Sequence, residues 1–190
     1  TTGYNFTLIS NGSGTASIAA IPAAGADIAG NIIMQRYTGT GPTGWRLLSS
    51  AVSGQTLANW ADDFATSGFT GATCGPPADC NCPAANCAFV SIYSYDETVG
   101  GTKENGYVAA TNVTNTINNG NGYWAYVGPN PKTVSVTGLP YKQAQPYSIT
   151  YTASGGITED GWNLISNPYP CAIDWDDADW TKTNVDNAIY

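Results

Sequence analysis

Histidine is absent from this chain, methionine occurs once, and positive charge is confined to four lysines and two arginines. Each shortage removes a class of function. A Ser-His-Asp or Cys-His centre needs an imidazole as general base, so neither can be built. Fourteen carboxylates against six cations give a formal net charge of −8. Nucleic acids, held mainly through clustered Lys and Arg, are therefore not expected partners. No apolar run is long enough to cross a bilayer as a helix, and no membrane insertion is expected. Charged residues make up 11% of the chain, against a usual share of roughly 25%.

Thr, Ser, Asn and Gly supply the polarity instead, a composition that suits short strands and many turns. At 190 residues and 42% hydrophobic content, a single domain over 1–190 with its own core is expected. Tyr4, Phe6 and Leu8 alternate with polar neighbours, and Asn11-Gly12 is a hairpin signal. The 1–21 hairpin reads as a lead-in or as a segment exchanged between copies. Further strands are expected over 31–37, 44–50, 88–95, 107–110, 122–127, 133–137, 147–152, 161–166 and 185–190. Short helices are expected over 57–64, capped by Thr56, and over 175–180, capped by Asp174. About ten short strands separated by turn signals indicate an all-β chain, a β-sandwich or jelly-roll-like domain. The strand-like close at Tyr190 points to a chain that continues beyond 190.

Two stretches follow one plan. Gly44-Trp45-Arg46-Leu47-Leu48-Ser49 leads to Trp60-Ala61-Asp62-Asp63. Gly161-Trp162-Asn163-Leu164-Ile165-Ser166 leads through Pro168-Tyr169-Pro170 to Trp175-Asp176-Asp177. Aligning Trp45 with Trp162 also aligns Leu47 with Leu164, Leu48 with Ile165 and Ser49 with Ser166. Each copy then reaches a second Trp, Trp60 or Trp175, and the shared plan predicts an internal pseudo-repeat. In it Trp45 and Trp162 pack in the core, and Trp60 and Trp175 anchor the helices.

Cys74, Cys80, Cys82 and Cys87 follow C-x5-C-x-C-x4-C within a Gly/Pro-rich loop. Two disulfides pinning this loop are expected, in an oxidising compartment. The alternative is a metal knuckle, which the absence of His and of C-x2-C spacing disfavours. Three pairings are open, and a Cys80–Cys82 bond would be strained. Cys171 is left over: free, joined to the cluster, or paired outside the chain.

Gly30-Asn31-Ile32-Ile33-Met34-Gln35-Arg36-Tyr37, the Gly44-Trp45 stretch, Gly120-Asn121-Gly122-Tyr123-Trp124-Ala125-Tyr126 and the segment 161–174 together resemble a pattern in large secreted surface proteins of Bacteroidota. There the order is strand-Arg-Tyr, Trp-Arg-x-Leu-Ser-Ser, Gly-x-Gly-Tyr and Gly-Trp-Asn-x-x-x-Asn-Pro-Tyr-Pro. The resemblance implies export by the type IX secretion route and a place outside the cell or on its outer surface. It supplies a location rather than an activity.

Three kinds of candidate chemistry remain. Asp174, Asp176, Asp177 and Asp179 are close enough in sequence to offer oxygen ligands to Ca²⁺, although the spacing is not that of an EF-hand. A helix N-terminus favouring acids is the plainer reading. Asp96, Glu97 and Glu104 form a second, weaker oxygen-rich group. Six Trp and twelve Tyr invite a sugar-stacking surface, with Tyr123, Trp124, Tyr126 and Tyr169 as its candidates. Glycoside hydrolysis needs two carboxylates facing one sugar, and nothing in the sequence pairs them. The expected function is a non-catalytic structural or adhesive module, displayed on the surface or assembled into a fibre through terminal-strand pairing. The alternative is a glycan-binding module using exposed aromatics, with Ca²⁺ assistance.

Overall fold

The computed structural model describes residues 6–19, 27–74, 89–156, 158–186 and 189. Among them the chain is built mostly of strands with little helix, as an all-β protein. In chain order the elements are β1 (Phe6–Leu8), β2 (Ser10–Asn11), β3 (Gly14–Thr15), β4 (Ile32–Thr38), β5 (Trp45–Leu48), β6 (Gln55–Thr56), α1 (Ala58–Ala61), β7 (Ile92–Tyr95), a 3-10 turn (Lys103–Gly106), β8 (Tyr107–Ala109), β9 (Thr116–Ile117), β10 (Tyr123–Tyr126) and β11 (Lys132–Gly138).

The first sheet has the order β1-β4-β11. β4 pairs antiparallel with β11, setting Met34 opposite Val136 and Arg36 opposite Val134. β1 adds in parallel on the other side of β4, with Leu8 opposite Met34. The N-terminal strand is thus paired within its own chain, and Leu8 is buried in the core. The Asn11-Gly12 signal makes a hairpin, in which Asn11 Oδ1 accepts the Ser13 N–H at 2.8 Å.

The second sheet has the order β5-β10-β7-β8, all antiparallel. Alternation on β10 sends Tyr123 and Ala125 inward and Trp124 and Tyr126 outward. Leu48 and Ile92 point inward beside them. These side chains share one buried cluster with Leu8, Ile32, Met34, Val134 and Val136 of the first sheet. Trp60 of α1 completes it at 0% exposure, edge-on to Tyr123 with ring centroids 5.5 Å apart. Such large apolar side chains each contribute about 1.5–3 kcal/mol on burial.

Several expectations are corrected. The first helix is only Ala58–Ala61, and Thr56 does not cap it. Asn59 Oδ1 instead reaches back to accept the Thr56 N–H at 2.9 Å. No helix forms over 175–180: Asp174 and Asp177 each take the N–H two residues on, at 3.0 and 2.9 Å. Local Asp-to-backbone bonds of this kind compete with helix.

The described residues of 147–152, 161–166 and 185–190 form no strand. Side chains take several donors of the first two segments: Glu97 accepts from the Thr152 and Gly161 N–H groups, and the Asn163 amide bonds both N–H and C=O of Thr150. Between those segments Asp160 accepts from Ser154 and Gly155. Among the described residues, Gly120–Gly122 gives the 161–166 segment its backbone bonds, through Gly122 N–H to Leu164 O at 3.1 Å and Ser166 N–H to Gly120 O at 2.8 Å.

The pseudo-repeat fails with these strands. Residues 37–63 run strand to strand to helix, whereas the described residues of 151–177 run through turns and a bridge at Ile165. Trp162 is 38% exposed, with its indole N–H donating to Thr158 O at 3.0 Å. Trp175 anchors no helix; it packs on Trp180 and under the Lys182 ammonium.

Candidate functional site

The outer face of the second sheet is an array of aromatic rings. The register of β10 and β5 places Tyr126 opposite Trp45 and Trp124 opposite Leu47. The register of β10 and β7 places Trp124 opposite Tyr93, and β7 with β8 places Tyr95 opposite Tyr107. Because strand side chains alternate with period two, these residues share one side. Phe89, just before β7, leans over the end of the row.

The rings touch in sequence. Phe89 meets Tyr126 at 5.3 Å and Trp45 at 6.2 Å between centroids. Trp45 meets Tyr126 at 5.4 Å and Trp124 at 5.8 Å. Trp124 meets Tyr107 at 4.8 Å, and Tyr107 meets Tyr95 at 5.2 Å. Most interplanar angles lie between 62° and 89°, the edge-to-face geometry that ring quadrupoles favour. Each ring is half-buried by its neighbours, except Phe89, which is 38% exposed. Leu47 stands beside them at 62% exposure.

Burial, then the neighbouring Tyr107 and the carboxylates of Glu97, Glu104 and Glu159, hold the Tyr95 phenol above its ordinary range. Burial and Glu104 do the same for Tyr107. The Tyr95 hydroxyl donates to Lys103 O at 2.8 Å, which fixes that end of the row.

Of the four residues expected on an aromatic platform, Trp124 and Tyr126 lie on this face. Tyr123 does not: it is buried, with its hydroxyl accepting from Asn118 N–H and donating to Thr116 O. Tyr169 lies elsewhere, tilted on Tyr141 at 5.8 Å and donating to Gln143 O. Trp45, expected in the core, sits among the outer rings. The sequence reading missed Phe89, Tyr93, Tyr95 and Tyr107. The alternation of Tyr93 and Tyr95 was visible, but not which strand lay beside it.

The expected oxygen sites do not assemble. Among the described residues no group of three or more His, Cys, Asp or Glu converges to hold a metal. Asp174, Asp176, Asp177 and Asp179 are all exposed, and two of them bond their own backbone. Asp96 is used by Thr98, while Glu97 turns inward. Burial raises the Glu97 carboxyl, but donation from Thr152, Thr150 and Gly161 outweighs it and leaves the group below the usual carboxylate range. Cys74 is disulfide-bonded. Cys80, Cys82 and Cys87 lie outside the described residues, and so does the expected pairing of that loop. Cys171 is a free thiol.

Comparison with protein-family models, curated proteins and solved structures gave no match to this chain.

Proposed function

We propose that this chain is a non-catalytic extracellular module with a structural or adhesive role, and that the outer aromatic face is its contact surface. The observation that carries the reading is the continuous, half-exposed row of rings from Phe89 to Tyr95 across four strands. A contiguous apolar surface of this kind marks interaction sites in soluble proteins. Tyr and Trp suit it because they offer large, rigid contact area at low entropic cost. The two larger sheets are read as opposed layers of a β-sandwich, supported by the core their inward side chains share. The loop carrying Cys74, Cys80, Cys82 and Cys87 is read as a disulfide staple, in keeping with display outside the cell or on its outer surface by the type IX route.

In a fibre, copies would join by strand pairing at sheet edges. β1 pairs with β4 on one side, so the outer strands are β1 and β11 in the first sheet and β5 and β8 in the aromatic sheet. The test pairs two measurements: electron microscopy of native material, and sedimentation velocity of wild type against a Trp124→Ser/Tyr107→Ser variant. Fibres or concentration-dependent association, lost in the variant while far-UV circular dichroism is kept, support the reading. Association unchanged in the variant, or none in wild type together with no adhesion to surfaces, refutes it.

Glycan binding is the second reading, favoured by the half-exposed Trp124 and Tyr126 rings on the same face. It predicts saturable indole fluorescence changes with one class of polysaccharide. Silence across a broad glycan panel removes it. Ca²⁺ assistance is not carried forward, since the carboxylates among the described residues do not converge.

A further inference from the structure

Four Asn-Gly pairs occur in the chain, at Asn11, Asn105, Asn119 and Asn121. In such a pair the glycine nitrogen can attack the side-chain carbonyl carbon of the asparagine, because a residue without Cβ neither shields that nitrogen nor restricts the backbone. In the sequence the four are equivalent. In the fold they are not.

Three of them are held. Asn119 gives its Nδ2 to Ser50 O at 2.9 Å and Val52 O at 3.2 Å, and Gly120 is buried. Asn105 lies in the 3-10 turn with its Nδ2 on Gly100 O at 3.2 Å, and Gly106 is buried against the Tyr95 ring. At Asn121 the nucleophile itself is taken: Gly122 is buried and its N–H donates to Leu164 O at 3.1 Å.

Asn11-Gly12 differs in each respect. Asn11, Gly12 and Ser13 are all exposed at the tip of the β2–β3 hairpin. Among the described residues, Asn11 Nδ2 and Gly12 N–H have no hydrogen-bond partner. The bond that the side chain does make runs from Ser13 N–H to Asn11 Oδ1 at 2.8 Å. It draws electron density from the amide carbon and leaves the amide nitrogen free to depart. The ladder at this tip is short, and segments with exposed backbone bonds open at little cost.

We propose that Asn11 is a site of self-modification, converting without an enzyme to a mixture of aspartate and isoaspartate. The Gly12 nitrogen bonds to Asn11 Cγ and closes a succinimide ring. Its proton passes through water to Nδ2, which leaves as ammonia. Water then opens the ring. Breaking the new C–N bond yields aspartate, and breaking the original peptide bond yields isoaspartate, with the chain rerouted through the side-chain methylene. Either product adds a negative charge. Isoaspartate also lengthens the main chain at the residue that pairs with Gly14, and so disturbs the register that sets the Ser10 and Thr15 hydroxyls 2.6 Å apart. Ser10 Oγ accepts the Tyr37 N–H at 2.9 Å, which ties this hairpin to β4. Conversion at Asn11 therefore loosens that tie.

The test is peptide mapping by mass spectrometry, with electron-transfer fragmentation to separate the two products, after incubation of the full chain in mildly alkaline buffer. The native chain and the chain unfolded in guanidinium chloride are compared at all four pairs. In the native chain Asn11 is expected to convert at least about tenfold faster than the other three, which must first open locally. In denaturant the four rates are expected to come together. Native conversion at Asn11 no faster than at Asn105, Asn119 or Asn121 overturns the proposal, and so does an Asn11 that reacts in denaturant and is inert in the native chain. A Cβ at Gly12 would stand 3.7 Å from Tyr37 Oη, an ordinary contact, so Gly12→Ala keeps the fold. It is expected to slow Asn11 to the level of the held pairs, and an unchanged rate also overturns the assignment.

Discussion

Trp60→Ala and Trp175→Ala separate the tertiary structure from the repeat suggested by the sequence. Each indole is the second Trp of its copy, and a true duplication would make the two energetically alike. Trp60 is 0% exposed and packs edge-on against Tyr123 at 5.5 Å. Its removal deletes a core ring and leaves a cavity, at a cost of about 3–5 kcal/mol. Trp175 is half-buried, 5.1 Å from Trp180 and under the Lys182 ammonium at 4.9 Å. One aromatic pair and one cation–π contact amount to about 1–2 kcal/mol. For 190 residues, a melting entropy of about 2.1 cal/mol/K per residue turns the Trp60 loss into a fall of roughly 8–12 °C. The Trp175 fall is then roughly 2–5 °C. Thermal and urea unfolding under non-reducing conditions, followed by far-UV circular dichroism, measure both. Equal losses in the two variants would falsify the placement of Trp60 as the core anchor and revive the repeat.

Two carboxylates give pH dependences of opposite sign. Glu97 titrates below its ordinary value when folded, so its stabilisation is complete above the unfolded carboxylate range and is lost as pH falls through the lower folded value. Amide exchange at Thr152 and Gly161, corrected for intrinsic rates, is expected to accelerate on acidification below about pH 4, and Glu97→Gln is expected to abolish that step. A step of the same size in the variant would show that another group holds this segment. Asp63 runs the other way: burial holds its carboxyl above the ordinary value despite the Ser135 N–H it accepts. The charged form is therefore disfavoured at neutral pH, its contribution being complete below the unfolded range and lost as pH rises through the folded value. Asp63→Asn keeps an acceptor for Ser135 and is expected to melt at or above wild type at pH 7, with the gain shrinking toward pH 3. A variant that melts lower at pH 7 than at pH 3, relative to wild type, counts against this account.

Strands with strong local alternation were legible in the sequence. Ile32–Thr38, Trp45–Leu48, Tyr107–Ala109, Tyr123–Tyr126 and Lys132–Gly138 lie within a residue or two of the expected strands, because period-two hydrophobicity is a property of the segment alone. The Asn11-Gly12 turn was legible for the same local reason. The 147–152 and 161–166 segments misled because they carry strand-like residues of which Thr150, Thr152 and Gly161 give their backbone donors to Asn163 and Glu97, groups distant in sequence. The acidic helix misled because Asp174 and Asp177 bond locally.

By itself, then, the sequence determined the β class, the exclusion of imidazole-based catalysis and the dearth of positive charge. These depend on composition and short-range pattern. Only the tertiary structure decided that Tyr123 is core while Trp124 and Tyr126 are surface, and that Trp45, Tyr93 and Tyr107 join them. Membership of that face depends on which strands are neighbours and in what register, and a one-residue slip reverses it. Arg36 is the same kind of fact: its charge was written in the chain, but that no carboxylate among the described residues lies within ion-pair distance of it exists only in the fold.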